Sequence, residues 1–326
     1  MIRYIIKRIL WMIPVLFGVC FIVFALTRLS PGDPVVGILG SNATEEQYAE
    51  CREELGLDDP FLVQFVRYVK GIITEFDLGI SYQSKRPVAE EVLERFPVTL
   101  KLGILSVLFS IVVGLPVGVL SAVKQYSPLD YTVTSATVIL SSLPSFWLGL
   151  MMMLLFALRL GWLPASGLSS WKGWIMPMIV QGISPVCVIT RLSRSNMLEV
   201  IRQDYIRTAR SKGLSEGVIV RRHALKNAIM PVVTMIGMQM GMVFGGSVIT
   251  ESIFAIPGLG SLMISAISNQ NYPTIMGCVF FLCILISIIN LVVDVAYAYI
   301  DPHIKAKYTS SSSKRKANPA QKGEAA

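Results

Sequence analysis

Few side chains in this sequence have the type and spacing that bond-making chemistry requires. The two histidines, His223 and His303, both lie outside the long apolar runs. Hydrolysis by a Ser–His or Cys–His pair needs both groups at one depth of the fold, and no such pair is present. The sequence also has no G-x-x-x-x-G-K-[ST] loop for phosphates and no H-E-x-x-H pair for zinc. These absences argue against a hydrolase and against nucleotide binding through that loop.

The cysteines indicate packing rather than redox chemistry or metal binding. Four of the five lie in apolar runs, and only Cys51 lies in a long polar segment. Their spacing fits neither a disulfide framework nor a metal-ligand motif. We therefore expect free thiols that act as small apolar core residues and no metal held by this chain.

The most distinctive polar segment covers residues 191–227. It holds nine basic and three acidic residues between two apolar runs. Its inner part has the pattern of a helix, a turn and a second helix, with Gly213 at the position that follows a helix end and Ser215 as the next N-cap. Four residues fall on one face at helical spacing: Ile201, Tyr205, Thr208 and Ala209. The pattern predicts a short, rigid knob, and a basic loop lying on anionic lipid is the alternative.

Composition shows what surrounds this segment. Of the 326 residues 53% are apolar and only 15% are charged, against about a quarter in soluble domains. The mean hydropathy is +0.60. The net charge of +8 comes from basic residues beside apolar runs, so it favours contact with membrane lipid and not with nucleic acid. The chain is predicted to be an all-α integral membrane protein.

Six apolar runs are long enough to cross a bilayer. They cover residues 9–29, 98–123, 131–158, 175–189, 228–249 and 274–300. The first run is too long for a signal-peptide core and has no A-x-A cleavage site, so we expect an uncleaved span. Pro144 should break the third run, whereas Gly114 and Gly118 in the second should allow close helix contact.

The charge contrast between loops predicts the orientation. Residues 30–97 hold 13 acidic and 6 basic residues, opposite in sign to residues 191–227. Both termini are therefore predicted to be cytoplasmic. The predicted parts are the N-terminus and first span (1–29), an extracytoplasmic subdomain (30–97), a membrane core (98–300) and a basic, disordered tail (301–326).

A glycine stripe marks the fifth run. Gly237, Gly241 and Gly245 recur every fourth residue, with Met238 and Met242 among the surrounding methionines. Such a stripe either packs helices closely or lines a path, and the sequence leaves both open. The methionines suit pliable packing better than a soft metal.

Asp294 is the notable ionisable residue within an apolar run. Because it lies near the cytoplasmic end of that run, a structural partner is favoured over a proton relay. Two alternatives are disfavoured. A secondary transporter or channel would need ionisable groups at mid-membrane, and a membrane enzyme would need a set of catalytic side chains. A membrane path without an energy source, joined to a stiff knob, suggests a translocator driven by a partner.

Several motifs together resemble one family over Met1 to about Lys307. They are RYIIKRIL…IP…G at 3–18, L-x-P-G-D-P at 29–34, ELGLDDP at 54–60, DLGIS at 77–81, P-V-x-L at 97–100, DYIRTARSKGLS at 204–215, RHALKNAIMP at 222–231, ESIFAIPGLG at 251–260 and D-P-H-I at 301–304. The sequence thereby resembles the permease subunits of ABC importers in the dipeptide/oligopeptide/nickel family.

The resemblance implies that the helix around residues 204–213 is the coupling helix that docks on an ATPase subunit. The wider superfamily has Glu-Ala-Ala before a glycine, and this chain has Arg207, Thr208 and Ala209 before Gly213. This departure is similar to the peptide-family variant. The implied coupling residues are Asp204, Tyr205, Thr208, Ala209, Gly213 and Leu214.

The resemblance also implies the partners and the location. They are a second homologous permease, two ATP-binding subunits that hold ATP and Mg²⁺, and an extracytoplasmic substrate-binding protein. The chain itself would bind no cofactor and would lie in a bacterial or archaeal plasma membrane. Peptides are the implied substrate, with nickel or glutathione as alternatives.

Overall fold

The computed structural model describes residues 2–29, 34–40 and 43–300, and these residues form helices joined by turns. Within them the only β-type pairing is one isolated bridge between Ile80 and Pro87. The helices are α1 (Ile2–Leu29), α2 (Pro34–Leu39), α3 (Glu45–Glu54), α4 (Phe61–Glu75), α5 (Val88–Val123), α6 (Pro128–Ser142), α7 (Ser145–Met152), α8 (Ile175–Ile201), α9 (Asp204–Ser211), α10 (Glu216–Val218), α11 (Leu225–Ile253), α12 (Leu259–Ser268) and α13 (Tyr272–Ile300). The prediction of an all-α protein is confirmed.

Five continuous helical segments in the described residues are long and apolar enough to cross a membrane, and there are six if one bent pair of helices counts as a single span. The pair consists of α6 and α7, and α7 continues as a π-helical segment, Met153–Arg159. The two arms meet at 103°. Leu143 is extended there because Pro144 disfavours helical backbone in the residue before it. The predicted break in the third span is therefore a sharp turn.

Two helices extend beyond the predicted runs. Residues 88–96, which lie in the predicted extracytoplasmic subdomain, join residues 98–123 in the single helix α5 through Pro97. A proline is tolerated in a membrane helix when neighbouring groups satisfy the backbone. Residues 191–201, expected in the cytoplasmic loop, are the last turns of α8. The cytoplasmic loop is consequently shorter and stiffer than the charge pattern suggested.

The centre of the bundle is the contact between α5 and α8. A Cβ atom on Gly118 would overlap the Thr190 carbonyl group and Ser193, and one on Gly114 would press on Ile189. The Thr190 hydroxyl donates to the Gly114 carbonyl oxygen at 3.2 Å. The predicted close approach through these two glycines is confirmed, and it leaves no room for a larger residue at either position.

At the periphery, α1 packs on α13. Arg8 Nη1 lies 3.1 Å from Asp294 Oδ2, so the acidic group in the last span is held by a basic group of the first. The prediction that Asp294 has a structural partner is confirmed.

The described residues between α1 and α5, 34–40 and 43–87, are called the outer segment here, and local and long-range hydrogen bonds hold them. Thr44 and Gln47 form a capping box at the start of α3. Asn271 Nδ2 donates to Ser81 Oγ at 2.9 Å, and the Tyr82 amide donates to Asn271 Oδ1 at 3.1 Å. Asn271 precedes α13, so the segment is tied to the membrane bundle.

Candidate functional site

The helix α9 ends in a Schellman motif. The Gly213 amide donates to the Arg210 carbonyl oxygen at 2.9 Å, and the Leu214 amide donates to the Ala209 carbonyl oxygen at 3.4 Å. Gly213 has φ +77°, a left-handed conformation in which a Cβ is costly. The predicted position of Gly213 just after the helix end is confirmed by this geometry.

The buried face of α9 differs from the predicted one. Ile206 and Ala209 are 0% and 6% exposed, and they join Met197 of α8 with Ile219 and Ala224 in one apolar cluster. Tyr205 and Thr208, which were predicted to share a face with Ala209, are exposed. The actual face follows an i, i+3 pair because α9 packs its aliphatic residues on the end of α8.

The packing of α9 leaves most of the predicted coupling residues exposed and buries one. Five of them are exposed: Asp204, Tyr205, Thr208, Gly213 and Leu214. Ala209 instead packs in the chain's own core. Its small side chain lets α9 lie close to the bundle.

Polar contacts hold the turn after α9. Arg210 Nε donates to Glu216 Oε1 at 2.7 Å, and Arg210 Nη2 donates to Glu216 Oε2 at 3.2 Å. The hydrogen bond to Glu216 raises the pKa of the Arg210 guanidinium above its usual value, so this group stays charged. Ser215 occupies the N-cap position of α10 but makes no capping hydrogen bond, contrary to the predicted role. The ion pair across the turn, rather than the serine cap, closes it.

A second contact joins α9 to the start of α11. Asn227 Nδ2 donates to Tyr205 Oη at 2.8 Å. Tyr205 remains 43% exposed, so its ring is oriented by the bond and still accessible. Together with the apolar cluster and the ion pair, this bond makes α9 and its turn a rigid knob, defined here as residues 204–214.

A buried ion pair lies near the same end of the bundle. Arg194 of α8 donates from Nε to Asp130 Oδ1 at 2.6 Å and from Nη2 to Asp130 Oδ2 at 2.8 Å. Ser121 and the Tyr126 amide donate to the same carboxylate. Asp130 is 2% exposed. The pair links α5, α6 and α8 a few turns before the knob.

Sequence analysis missed this pair. Asp130 and Arg194 are 64 positions apart, and each looked like an ordinary charge beside a span. The available signal was a helix-start pattern, with Ser127 at the N-cap, Pro128 at the first helical position and Asp130 three residues after Ser127. That signal explains the local position of Asp130 but does not reveal its partner.

The glycine stripe on α11 has two environments. A Cβ on Gly237 would overlap Val293 of α13, and one on Gly241 would only touch Asn290 and Ile286. Gly245 has nothing within 4 Å of that position. The stripe therefore packs closely at Gly237 and opens onto a free surface at Gly245.

The neighbouring methionines belong to the free surface. Met238 and Met242 are 64% and 73% exposed. These two side chains and Gly245 form an exposed apolar face of α11, which we call the α11 open face.

A buried carboxylate closes the outer end of the bundle. Glu251 is 0% exposed and accepts hydrogen bonds from Thr99 Oγ1 at 2.7 Å and from the Gly260 and Ser261 amides at 2.7 and 3.1 Å. These amides belong to the start of α12, where a helix N-terminus favours negative charge. Glu251 thus fixes the ESIFAIPGLG segment against α5.

Two family models match the chain in succession. Residues 114–306 match the family described as the inner membrane component of binding-protein-dependent transport systems. Residues 1–103 match the N-terminal membrane component of such systems. The chain is therefore a membrane component of a binding-protein-dependent transport system.

Curated relatives narrow this class. The chain is 39% identical to the dipeptide transport system permease protein DppB of Alkalihalophilus pseudofirmus and 41% identical to the glutathione transport system permease protein GsiC of Salmonella paratyphi A. Both alignments cover 94% of this chain and all of the relative. The chain belongs to the peptide/dipeptide family of ABC importer permeases, multi-pass proteins of the bacterial plasma membrane. Such a permease is a transport subunit and is not itself an enzyme.

A solved structure has the same fold. The MetNI methionine ABC transporter in an inward-facing conformation aligns with 64% of this chain and 96% of its own, with a TM-score of 0.53 and 22% identity. This likeness shows the permease fold alone.

Proposed function

We propose that this chain is one of two permease subunits of an ATP-driven peptide importer. The similarity to a dipeptide permease and to glutathione permeases, each over the whole length of the relative, supports a peptide-like substrate. Glutathione is the second candidate, because the glutathione permeases are as similar to this chain as the dipeptide permease is. Both candidates are short peptides, so the same path chemistry would serve them.

The knob is proposed to dock on an ATPase subunit. The observation that carries this proposal is that one face of α9 packs on the chain itself while the other face is exposed. Ile206 and Ala209 anchor α9, whereas Tyr205, Thr208 and Leu214 point away from the chain. ATP binding can shift the membrane path only through contacts that differ between ATPase states, and a rigid knob transmits such differences without bending.

The remaining partners follow from the surfaces that the fold leaves uncovered. The α11 open face is proposed to meet the path and the second, homologous permease. The ordered outer segment is proposed to receive the extracytoplasmic binding protein. ATP and Mg²⁺ would be held by two ATPase subunits, with both termini of this chain on their side of the membrane.

The test is substrate-stimulated ATP hydrolysis by the complete complex in vesicles. Thr208→Glu adds a charge at an exposed position of the knob and should leave the chain folded but abolish most of the stimulation. Gly213→Val forces a β-branched residue into a left-handed conformation, at a cost of about 1–2 kcal/mol, and should act similarly by distorting the turn. Dipeptides, glutathione and nickel are offered in turn, with the cognate binding protein, to identify the substrate.

The matched control removes the charges that a lipid-anchored loop would use. The double variant Arg202→Ala and Arg207→Ala, which keeps the Arg210–Glu216 ion pair of the turn, should impair coupling less than Thr208→Glu. Full stimulation in Thr208→Glu, with loss in the double variant, would show that the segment binds lipid instead of an ATPase.

A further inference from the structure

The helix α4 meets the first membrane helix through aromatic side chains. Phe17, Phe21 and Phe24 of α1 recur at helical spacing and meet Phe61 and Phe65 of α4. Ring centroids are 5.3 Å apart for Phe17 and Phe65, 5.2 Å for Phe21 and Phe65, and 5.2 Å for Phe24 and Phe61. Edge-to-face ring contacts of this kind hold the two helices together over two turns.

These contacts fix the depth of α4. Arg8 and Arg28 are 20 residues apart on α1, which is about 30 Å of helix and equals the thickness of the hydrocarbon core. Phe17 then lies near the middle of the bilayer, and Phe24 lies about 6 Å below Arg28. Phe65 contacts both rings, so this turn of α4 lies at the level of the outer half of the membrane, although its segment is outside by charge.

The face of α4 that points away from the protein is apolar. Leu62, Val66 and Ile73 lie along one side of the helix and are 65%, 62% and 76% exposed, and Phe76, just after the helix end, is 68% exposed. This exposed stripe continues directly into the exposed side of α1, which a spanning helix presents to lipid.

The opposite face of α4 belongs to the outer segment. Gln64 is buried and donates from Nε2 to the Leu57 and Asp59 carbonyl oxygens at 3.0 and 2.6 Å. Arg67 pairs with the Asp59 carboxylate. These bonds fix the rotation of α4, so its apolar stripe cannot turn inward.

A groove of about 500 Å³ runs between the two helices on the exposed side. Its walls are Phe17, Phe21, Leu62, Phe65, Val66, Val69, Lys70, Ile73 and Thr74. Lys70 supplies the one charge in this lining, and it is exposed. A lysine can line an apolar groove with its stem and keep its charged end in a polar environment.

We propose that α4 is embedded in the outer leaflet and that phospholipid acyl chains fill the groove between α1 and α4. The outer segment would then be seated in the membrane and not merely tethered above it. Its continuity with the lipid-facing side of α1 favours lipid over a protein occupant.

The test uses nitroxide labels in the assembled transporter, reconstituted in vesicles of phosphatidylethanolamine and phosphatidylglycerol. Labels are placed through Val66→Cys and Ile73→Cys, each combined with Cys51→Ser. Ala49→Cys on the polar, exposed helix α3 is the matched control. Collisions with oxygen, which concentrates in lipid, are compared with collisions with a water-soluble nickel chelate.

Labels at residues 66 and 73 should show a higher ratio of oxygen to nickel collisions than the label at residue 49. Equal ratios at all three positions would place α4 in water and overturn the proposal. Protection of residues 66 and 73 from both reagents would mean that another protein chain covers the groove, which overturns it as well.

Discussion

Removing Arg194 should destabilise the bundle more than removing any other basic residue of α8. The variant Arg194→Ala leaves the Asp130 carboxylate buried, with only the Ser121 hydroxyl and the Tyr126 amide as donors. Breaking a buried ion pair costs about 3–5 kcal/mol when nothing replaces the lost partner. Two donors remain, and the Arg194 side chain is 26% exposed, which lets water reach the site. We therefore expect a loss of about 2–3 kcal/mol.

The assay is thermal unfolding of the purified permease complex followed by a thiol-reactive dye. Cys187 and Cys278 are 0% exposed, so they react only when the chain opens. A loss of this size should lower the transition temperature by roughly 4–12 °C, taking about 2–4 °C per kcal/mol for large domains. Arg191→Ala is the matched control, because Arg191 is exposed and its hydrogen bond to Ser141 is long, at 3.4 Å.

A double-mutant cycle separates the pair from its surroundings. In Asp130→Asn with Arg194→Ala, the buried charge and its partner are both absent, so the combined loss should be smaller than the sum of the single losses. Additive losses, or an Arg194→Ala variant as stable as Arg191→Ala, would refute the inference that this ion pair joins α6 to α8.

Two further predictions concern the membrane core. Gly237→Leu should overlap Val293 and lower stability by about 1–3 kcal/mol, whereas Gly245→Leu should fold normally and reduce uptake by filling the α11 open face. Stability and uptake are measured on both variants, and the opposite pattern would reverse the roles assigned to the two glycines. Glu251→Ala should leave the Gly260 and Ser261 amides without their acceptor and expose α12, which faster hydrogen exchange at residues 259–268 would report. Unchanged exchange there would show that α12 is held by its apolar contacts alone.

The sequence by itself determined the features that depend on local pattern. Apolar runs of bilayer length predicted six crossings, because each backbone group in lipid must be satisfied within its own helix. Pro144 predicted the break between α6 and α7, and Gly213 predicted the left-handed residue after α9. The motifs at residues 204–215 and 251–260 predicted the family, which the comparisons confirmed.

Tertiary structure decided which residues meet across long stretches of chain. Thr99 and Glu251 are 152 positions apart, and Asp130 and Arg194 are 64 apart. The spacing of residues in the sequence does not reveal such pairs, because a hydrogen bond depends on where two helices cross and not on the spacing within either helix.

The two sides of α9 show the same limit on a smaller scale. Helical spacing placed Tyr205 and Ala209 on one face, and the fold turned Ala209 inward and left Tyr205 exposed. The rotation of a short helix is set by the partner it packs on, here Met197 and Ile219, which lie outside the helix itself. The existence of α9 follows from local sequence, but the face that α9 exposes to another protein depends on the whole bundle.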